Sequence, residues 1–294
     1  MTQQQSVEHV SVISDLRETV RAWRSQGQRV ALVPTMGALH DGHLELIRIG
    51  HARADRVVAS IFVNPAQFAP HEDFDRYPRT LDADLAKLAT VRCDLVWAPS
   101  VAEMYPAGNA GHATRIVPTG AAQGLESDFR PHFFGGVATV CCKLFNQVQP
   151  DFAVFGEKDY QQLAVIRQMV RDLDMPLEIV GAPTVREADG LAMSSRNRYL
   201  SETERKVAPS MHQALRGLAA KLNAAGSALT AAKADAFADE AAQAVIAAGF
   251  QKVDYIAVRD AVTLAPVGDM RPAALRIIAA AWLGKTRLID NIGV

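Results

Sequence analysis

The chain has 294 residues, enough for two units with a core each, and its charge nearly cancels: 31 Lys and Arg against 32 Asp and Glu, a formal net charge of −1. That balance excludes the basic excess of a nucleic-acid footprint, and no stretch reaches the roughly 18–20 apolar residues that span a bilayer. Residues 1–11 are polar and lack the apolar centre of a signal peptide, and three cysteines without C-x-x-C spacing read as reduced thiols of a cytoplasmic protein.

Ser14 is placed to cap a first helix with Leu16, Val20 and Trp23 on one face and Gly27 beyond its end. The apolar run 30–33 reads as a buried strand. Pro34-Thr35-Met36-Gly37-Ala38-Leu39-His40-Asp41-Gly42-His43 follows, and then a helical pattern through Leu44, Leu46 and Ile47. The decapeptide is therefore the turn between a parallel strand and the next helix. In open α/β sheets that turn lies at the carboxyl end of the strand, where ligands bind. Gly37 and Gly42 let backbone approach a ligand closely. His43 opens the helix, where free N–H groups and the dipole favour phosphate oxygens. His40 is three residues earlier, so both rings can face one triphosphate. As imidazolium ions they would donate hydrogen bonds to charge growing on a leaving pyrophosphate. A zinc pair on a helix is usually spaced by four and needs a third ligand.

Residues 56–63 form a near-continuous apolar run, suited to a parallel strand covered on both faces. The run ends in Asn64-Pro65-Ala66-Gln67-Phe68, and the loop continues through Glu72-Asp73-Phe74 to Tyr77-Pro78-Arg79-Thr80. Asn64 and Gln67 are neutral groups able to bind hydroxyls and a carboxylate. Thr80 is expected to cap a helix carrying Leu81, Leu85 and Leu88. A short strand follows over 95–98, and 99–124 is loop-rich. A helix over 134–149, a strand over 152–155 and the turn Gly156-Glu157-Lys158-Asp159 come next. Lys158 can reach phosphate oxygens from that turn as a point charge. The helix over 160–173 has Leu163, Ile166, Val170 and Leu173 in one stripe, with Gln162 near its start facing the same crevice. A strand over 177–180 completes an alternation that implies a mostly parallel sheet with right-handed crossovers.

The pattern changes after Pro183. Asp189-Gly190 reads as a hairpin turn. Met193-Ser194-Ser195-Arg196-Asn197 offers two hydroxyls and a guanidinium, the latter able to grip a phosphate bidentately. Two Ala-rich helices, about 202–224 and 231–248, precede strand-like runs at 253–258, 275–281 and 287–292. The expected fold is α/β: a Rossmann-like doubly wound parallel sheet over 1–184, then a smaller α+β unit over 185–294 with a short antiparallel sheet. The chain has neither G-x-x-x-x-G-K-[ST] nor G-x-G-x-x-G.

The string P-T-M-G-x-L-H-x-G-H resembles the HxGH signature of the nucleotidyltransferase superfamily, and in this long form that of the pantoate–β-alanine ligases. Phe62-Val63-Asn64-Pro65, Gln67-Phe68 and Tyr77-Pro78-Arg79-Thr80 match further family strings in order. So do Phe155-Gly156-Glu157-Lys158-Asp159-Tyr160-Gln161-Gln162-Leu163 and Met193-Ser194-Ser195-Arg196-Asn197-Arg198-Tyr199-Leu200. The resemblance implies an ATP-dependent condensation of (R)-pantoate with β-alanine to pantothenate. Pantoate carboxylate attacks the α-phosphorus, giving pantoyl adenylate and pyrophosphate; the β-alanine amine then displaces AMP.

By the same resemblance, ATP lies against Met36, Gly37, Ala38, Leu39, His40, Asp41, Gly42, His43, Gly156, Glu157, Lys158, Asp159, Val185, Met193, Ser194, Ser195 and Arg196. His40, His43, Lys158 and Arg196 are the implied catalytic set, with His43 the proton donor. Gln67 and Gln162 fall on the pantoate glutamines, Gln67 also near β-alanine, and Asn64 joins them on the substrate side. Mg²⁺ is implied by the triphosphate, with Asp84 a candidate ligand, and the protein is expected to be a homodimer. A plain nucleotidyltransferase would not need the Asn64, Gln67 and Gln162 set, and a non-catalytic nucleotide binder would be expected to lack His43, Lys158 or Arg196. The family commonly reads R-P-G-H-F-x-G-V where this chain has His132 for Gly and Phe133 for His, and Ser127 stands where Gly is common.

Overall fold

The computed structural model describes residues 7–68, 74–108, 114–268 and 274–294. Glu72 and Asp73 of the loop after the second predicted strand, and part of the 99–124 stretch, lie outside these. Six strands form one parallel sheet: β1 His9–Val10, β2 Val30–Thr35, β3 Arg56–Ile61, β4 Leu95–Trp97, β5 Phe152–Gly156 and β6 Glu178–Ala182. Their order is β1-β4-β3-β2-β5-β6. From β2 the chain builds outward to β3 and β4, then returns to place β5 on the other side of β2. The carboxyl ends of β2 and β5 therefore flank the topological switch point. The decapeptide leaves β2 there, and the Gly156 turn leaves β5 beside it. β1 has only two residues, too short to show a hydrophobic period.

The central strands are apolar at successive positions because each face packs on helices. Val30, Leu32 and Val58 face a core with Leu16 and Val20 of α1 (Ile13–Ser25), Leu144 and Phe145 of α4 (Phe133–Val148), and Leu163 and Ile166 of α5 (Tyr160–Asp172). Ala31, Val33, Val57 and Ala59 face the other core, with Leu44 and Ile47 of α2 (Asp41–His51) and Leu88 of α3 (Leu81–Thr90). Two expected caps work differently. Ser14 lies inside α1 and turns to Asp15; the open N–H of Ile13 is taken 2.8 Å away by the Glu103 carboxylate, 90 positions along the chain. Thr80 stands at the start of α3, but its hydroxyl donates to Asp84 at 3.0 Å.

The C-terminal sheet is antiparallel in the order β7 Lys252–Asp260, β8 Leu275–Leu283, β9 Thr286–Gly293. It packs on α6 (Pro209–Ala225) and α7 (Ala231–Ala247). Met211, Leu215, Leu218 and Leu222 of α6 meet the alanines at 234, 238 and 241 of α7 and Ile277, Ala279 and Ala281 of β8. The helix expected over 202–224 is divided: Glu202–Val207 is a short helix with a Ser201–Glu204 capping box, and Pro209, which has no N–H to continue it, starts α6. Ala121, Leu125, Phe134 and Val165 pack with Leu264 and Ile278, which joins the two sheets through apolar contact. Among the described residues no helix is long and apolar enough to cross a membrane.

α4 lies against the turn Pro65–Gln67 at Gly136. A Cβ there would sit 2.3 Å from the Ala66 carbonyl oxygen and 2.9 Å from Gln67 Cα. Backbone cannot yield as a side chain can, so Gly136→Ala is expected to destabilise the protein by about 1–3 kcal/mol, the usual range for overpacking. Urea unfolding checks this; a midpoint at the wild-type value would show that the turn is free to move.

Candidate active site

The loop after β2 is held from behind by α3. Gly37 and Ala38 both take the left-handed backbone conformation, at φ +80° and +52°. That is uncommon for alanine and is stabilised by what meets it. The buried Asp84 carboxylate accepts the N–H of Ala38 at 2.9 Å and of Leu39 at 2.8 Å, besides the Thr80 hydroxyl. Lys87, three residues along α3, donates to the Leu39 carbonyl at 2.6 Å. The peptide between Ala38 and Leu39 is thus fixed on its own N–H and on the groups to either side. A Cβ at Gly37 would meet Asp84 at 3.1 Å. Asp84 was the candidate Mg²⁺ ligand; instead it is 1% exposed and committed to three protein donors.

This brace delivers His40 to the start of α2. The His40 carbonyl accepts the His43 N–H at 2.8 Å, and the His40 N–H donates to His43 Nδ1 at 3.3 Å. Because His43 Nδ1 accepts, its proton resides on Nε2, on a ring that lines the cleft. The two rings lie 4.1 Å apart. Gly42 is explained by that packing: a Cβ there would be 2.9 Å from His40 Cε1. Burial first, and then the positive charge of Lys158, holds the His40 imidazole down at about 4. Burial, followed by His40, Lys158 and Lys87, holds His43 at about 3. The imidazolium pair expected opposite a triphosphate is therefore not the form favoured without one. In the protein without ligand both rings are neutral, because charging either means desolvating it beside cations.

On the substrate side, Asn64 is 1% exposed and uses its whole hydrogen-bonding capacity internally. Its amide donates to Gln67 Oε1 and to the Gly136 carbonyl, each at 3.2 Å. Its oxygen accepts the Ala66 N–H at 3.2 Å and the Tyr105 hydroxyl at 2.8 Å. Asn64 lines the cleft as expected, and its amide also orients Gln67. Gln67 Nε2 lies 2.9 Å from Met36 Sδ, which ties the turn after β3 to the loop after β2. Gln162 lines the cleft as expected. Its neighbour Gln161 is buried, taking the Glu126 N–H at 3.0 Å and giving to the carbonyls of Ala121 and Gly124 at 3.1 Å.

The turn after β5 is gripped by the C-terminal sheet. Asn291 of β9 donates its amide to the carbonyls of Glu157 and Lys158, at 2.9 and 2.8 Å. The Glu157 carboxylate turns to Arg276 at 3.1 Å. Lys158 Nζ is 3.5 Å from Asp159 and lines the cleft. Val185 to Met193 is the expected hairpin, with Gly190 at φ +94° and the Met193 N–H on the Val185 carbonyl at 3.0 Å. It is moored by Arg186, which bonds both oxygens of Asp290 on β9 at 2.8 Å, with His212 on the same carboxylate at 3.3 Å. Burial works to raise the Asp290 carboxyl, yet His212 and Arg186 leave it below the usual range. The hairpin presents Met193, Ser194, Ser195 and Arg196 to the cleft.

These elements enclose about 940 Å³. Met36, His40, Gly42, His43, Gln67, Gly156, Lys158, Asp159, Gln162, Val185 and the Met193–Arg196 stretch all line it. Gly37, Ala38, Leu39, Asp41 and Glu157 do not; Ala38 and Leu39 are buried behind the surface, and Asp41 is exposed outside the cleft. The sequence reading missed Asn291, Asp290 and Arg276. One signal was present: Asp290-Asn291 is an adjacent polar pair that interrupts an otherwise alternating strand. The departures fall at the margin. His132 is exposed at the start of α4, while Phe133 packs under the Arg130 guanidinium at 3.9 Å. Ser127 donates to the Ala122 carbonyl.

A histidine loop and a lysine turn at the switch point of a doubly wound sheet, faced by an arginine from the segment after the 185–193 hairpin, place the protein among the α/β enzymes that work on a nucleotide. A sequence model of the pantoate-beta-alanine ligase family matches residues 8–293. The chain is 59% identical to the pantothenate synthetase of Mesorhizobium japonicum over 98% of both chains. It is 54% identical to that of Caulobacter vibrioides, over 97% of this chain and 98% of the other. The crystal structure of the Thermus thermophilus enzyme superposes with a TM-score of 0.86 at 46% identity, covering 97% of this chain and 99% of that one. The ligase of Francisella tularensis, complexed with beta-gamma ATP and β-alanine, gives 0.78 at 34% identity, covering 98% and 97%. The chain belongs to the pantoate–β-alanine ligase family.

Two depressed histidines have a consequence for stability. Below about pH 6.5 the unfolded chain takes up protons at His40 and His43 that the folded protein does not. Their contribution is therefore fully present above pH 6.5 and is lost as pH falls toward 4. Urea midpoints should drop over that window, and the His40→Gln/His43→Gln variant should show a shallower slope. An identical slope in the variant would mean that the rings protonate in place.

Proposed function

We propose that this cleft condenses pantoate with β-alanine using ATP, by way of a pantoyl adenylate, and that the elements after β2 and β5 divide the work. The observation that carries this is the convergence of His40 and His43, Gln67, and Lys158 with Gln162, from three strand ends, on one cleft. The triphosphate lies over the start of α2, with Lys158 on one side and the Ser194–Arg196 segment facing it. His43 donates Nε2–H to a phosphoryl oxygen, and His40 and Lys158 stand beside it, so negative charge growing on pyrophosphate meets ready-made donors. The triphosphate's own charge favours the protonated form of both rings, which makes His43 the proton donor as pyrophosphate leaves.

Gln67 and Gln162 hold pantoate without adding charge next to its carboxylate. One carboxylate oxygen forms the bond to the α-phosphorus as the bond to the bridging oxygen breaks, and that electron pair leaves on pyrophosphate. The β-alanine amine then attacks the acyl carbon, AMP departs with the bonding pair, and the amine proton is released. The Francisella relative binding an ATP analogue and β-alanine supports this reading.

Mg²⁺ accompanies the nucleotide. Among the described residues no cluster of three or more His, Cys, Asp or Glu could hold a metal ion, and Asp84 is committed elsewhere. Bound with the triphosphate, such an ion would supply charge neutralisation on the phosphate oxygens, beside Lys158 and Arg196, which line the cleft. We divide the chain into a nucleotide- and pantoate-binding unit, 1–184, and a covering unit, 185–294, and place it in the cytoplasm as a homodimer. The three unpaired cysteines support that compartment.

Two variants separate the roles. His43→Ala should slow pyrophosphate release on the order of 10²–10³-fold, the usual loss for one such donor, with pantoate affinity nearly unchanged. Near wild-type release would remove His43 from the chemistry. Gln67→Ala should raise the KM for pantoate while leaving that for ATP alone. An equal rise in both would show that Gln67 supports the loop and does not hold pantoate. The overall reading requires AMP formation that depends on both pantoate and β-alanine, read by coupled assay.

A further inference from the structure

The two sheets meet through a line of buried and half-buried charges along the cleft wall as well as through Asn291. It starts at Asp254 on β7, whose side chain is 1% exposed. Its carboxylate accepts Arg287 Nε at 2.7 Å and the Trp282 indole N–H at 3.0 Å. Arg287, on β9, reaches across: its Nη1 lies 2.9 and 2.7 Å from the two carboxylate oxygens of Glu126. The Tyr255 hydroxyl donates to the same carboxylate at 3.3 Å. Glu126 lies 3.3 Å from Arg130 Nη1, and Arg130 Nη2 donates to the backbone carbonyl of Gln67 at 3.1 Å. Phe133 holds the Arg130 guanidinium in place.

The order is acid, base, acid, base, and it ends on the residue that the proposed reaction places against pantoate. Arginine suits such a line, because its planar fork fixes the direction of each bond. Stability alone gives little reason for it: an apolar set of similar volume commonly serves a buried interface as well or better. What an ionic line supplies is a defined position at its far end.

We propose that Arg287 and Glu126 are positioning residues for pantoate: acting through Arg130 they set the Gln67 turn, so that the fit of the C-terminal sheet over the cleft governs the grip on this substrate. This rests on the assignment of Gln67 to pantoate.

The test is steady-state kinetics on the full chain, varying pantoate and ATP separately, for Arg287→Met, Arg287→Lys, Tyr255→Phe, Arg130→Met and the Arg287→Met/Arg130→Met double variant. Arg287→Met should raise the pantoate KM about tenfold and leave the ATP KM within about twofold, since it removes binding on one side only. Arg287→Lys should recover part of the loss, and Tyr255→Phe should show a smaller rise of the same kind. The double variant should be no worse than Arg130→Met alone, because both changes cut one line. A merely structural role would lower the melting temperature without splitting the two KM values, and the two arginine effects would multiply. Either an unchanged pantoate KM in folded Arg287→Met or multiplying effects overturns the proposal. Should Arg287→Met fail to fold, unchanged pantoate KM values in both Arg287→Lys and Tyr255→Phe overturn it as well. Gln67→Ala tells the two failures apart. If it raises the pantoate KM while the Arg287 and Tyr255 variants do not, the line alone is refuted; if it does not, the Gln67 assignment falls first.

Discussion

A buried carboxylate meeting two consecutive backbone N–H groups is the constraint on which the cleft depends. Asp84 holds Ala38 in a conformation that an alanine rarely adopts by itself and takes the next N–H, of Leu39, while Lys87 fixes the following peptide at the Leu39 carbonyl. Left unpaired, each N–H would cost about 1–3 kcal/mol in that interior. The clamp decides where β2 hands over to α2, and with it where two histidine rings stand. It also leaves Lys87 close behind those rings, so one helix supplies both their position and part of the field that keeps them neutral.

The second sheet completes the site and lines it too, through Tyr255, Ala279, Arg287 and Asp290. β9 carries Asp290, which moors the hairpin leading to Ser194–Arg196, and next to it Asn291, which holds the Glu157–Lys158 turn. Adjacent residues on a strand point to opposite faces, so one strand serves both sides of the cleft. The phosphate-side lysine and the facing arginine are thus registered on the same two positions. On the reading proposed above, a triphosphate bridging them would meet a distance already set by the protein, in a cleft that keeps water from the acyl adenylate.

Much of this was legible in the chain. The parallel strands showed as near-continuous apolar runs because both faces are covered, and the C-terminal strands and Ala-rich helices appeared close to their observed places. The hairpin at Asp189-Gly190 was readable from turn chemistry alone. Most cleft-lining residues sit directly after strands, so their grouping followed once the sheet was parallel. Roles were harder to read than places. Asp84 on α3 and Glu157 in the turn after β5 have the right chemistry for ligands, yet each is occupied by protein partners.

By itself, then, the sequence determined the class of fold, the order of its elements, and most of the residues picked out for the cleft, because these depend on local period and on loops that follow strands. Only the tertiary structure decided what those residues can do. Asn64 meets Gly136 across 72 positions, Leu39 meets Asp84 across 45, Asn291 meets Lys158 across 133, and Arg287 meets Glu126 across 161. No local pattern records such pairings. The charge state of His40 and His43 is of the same kind: it comes from burial and from lysines brought near by folding, and an imidazole's identity alone cannot state it.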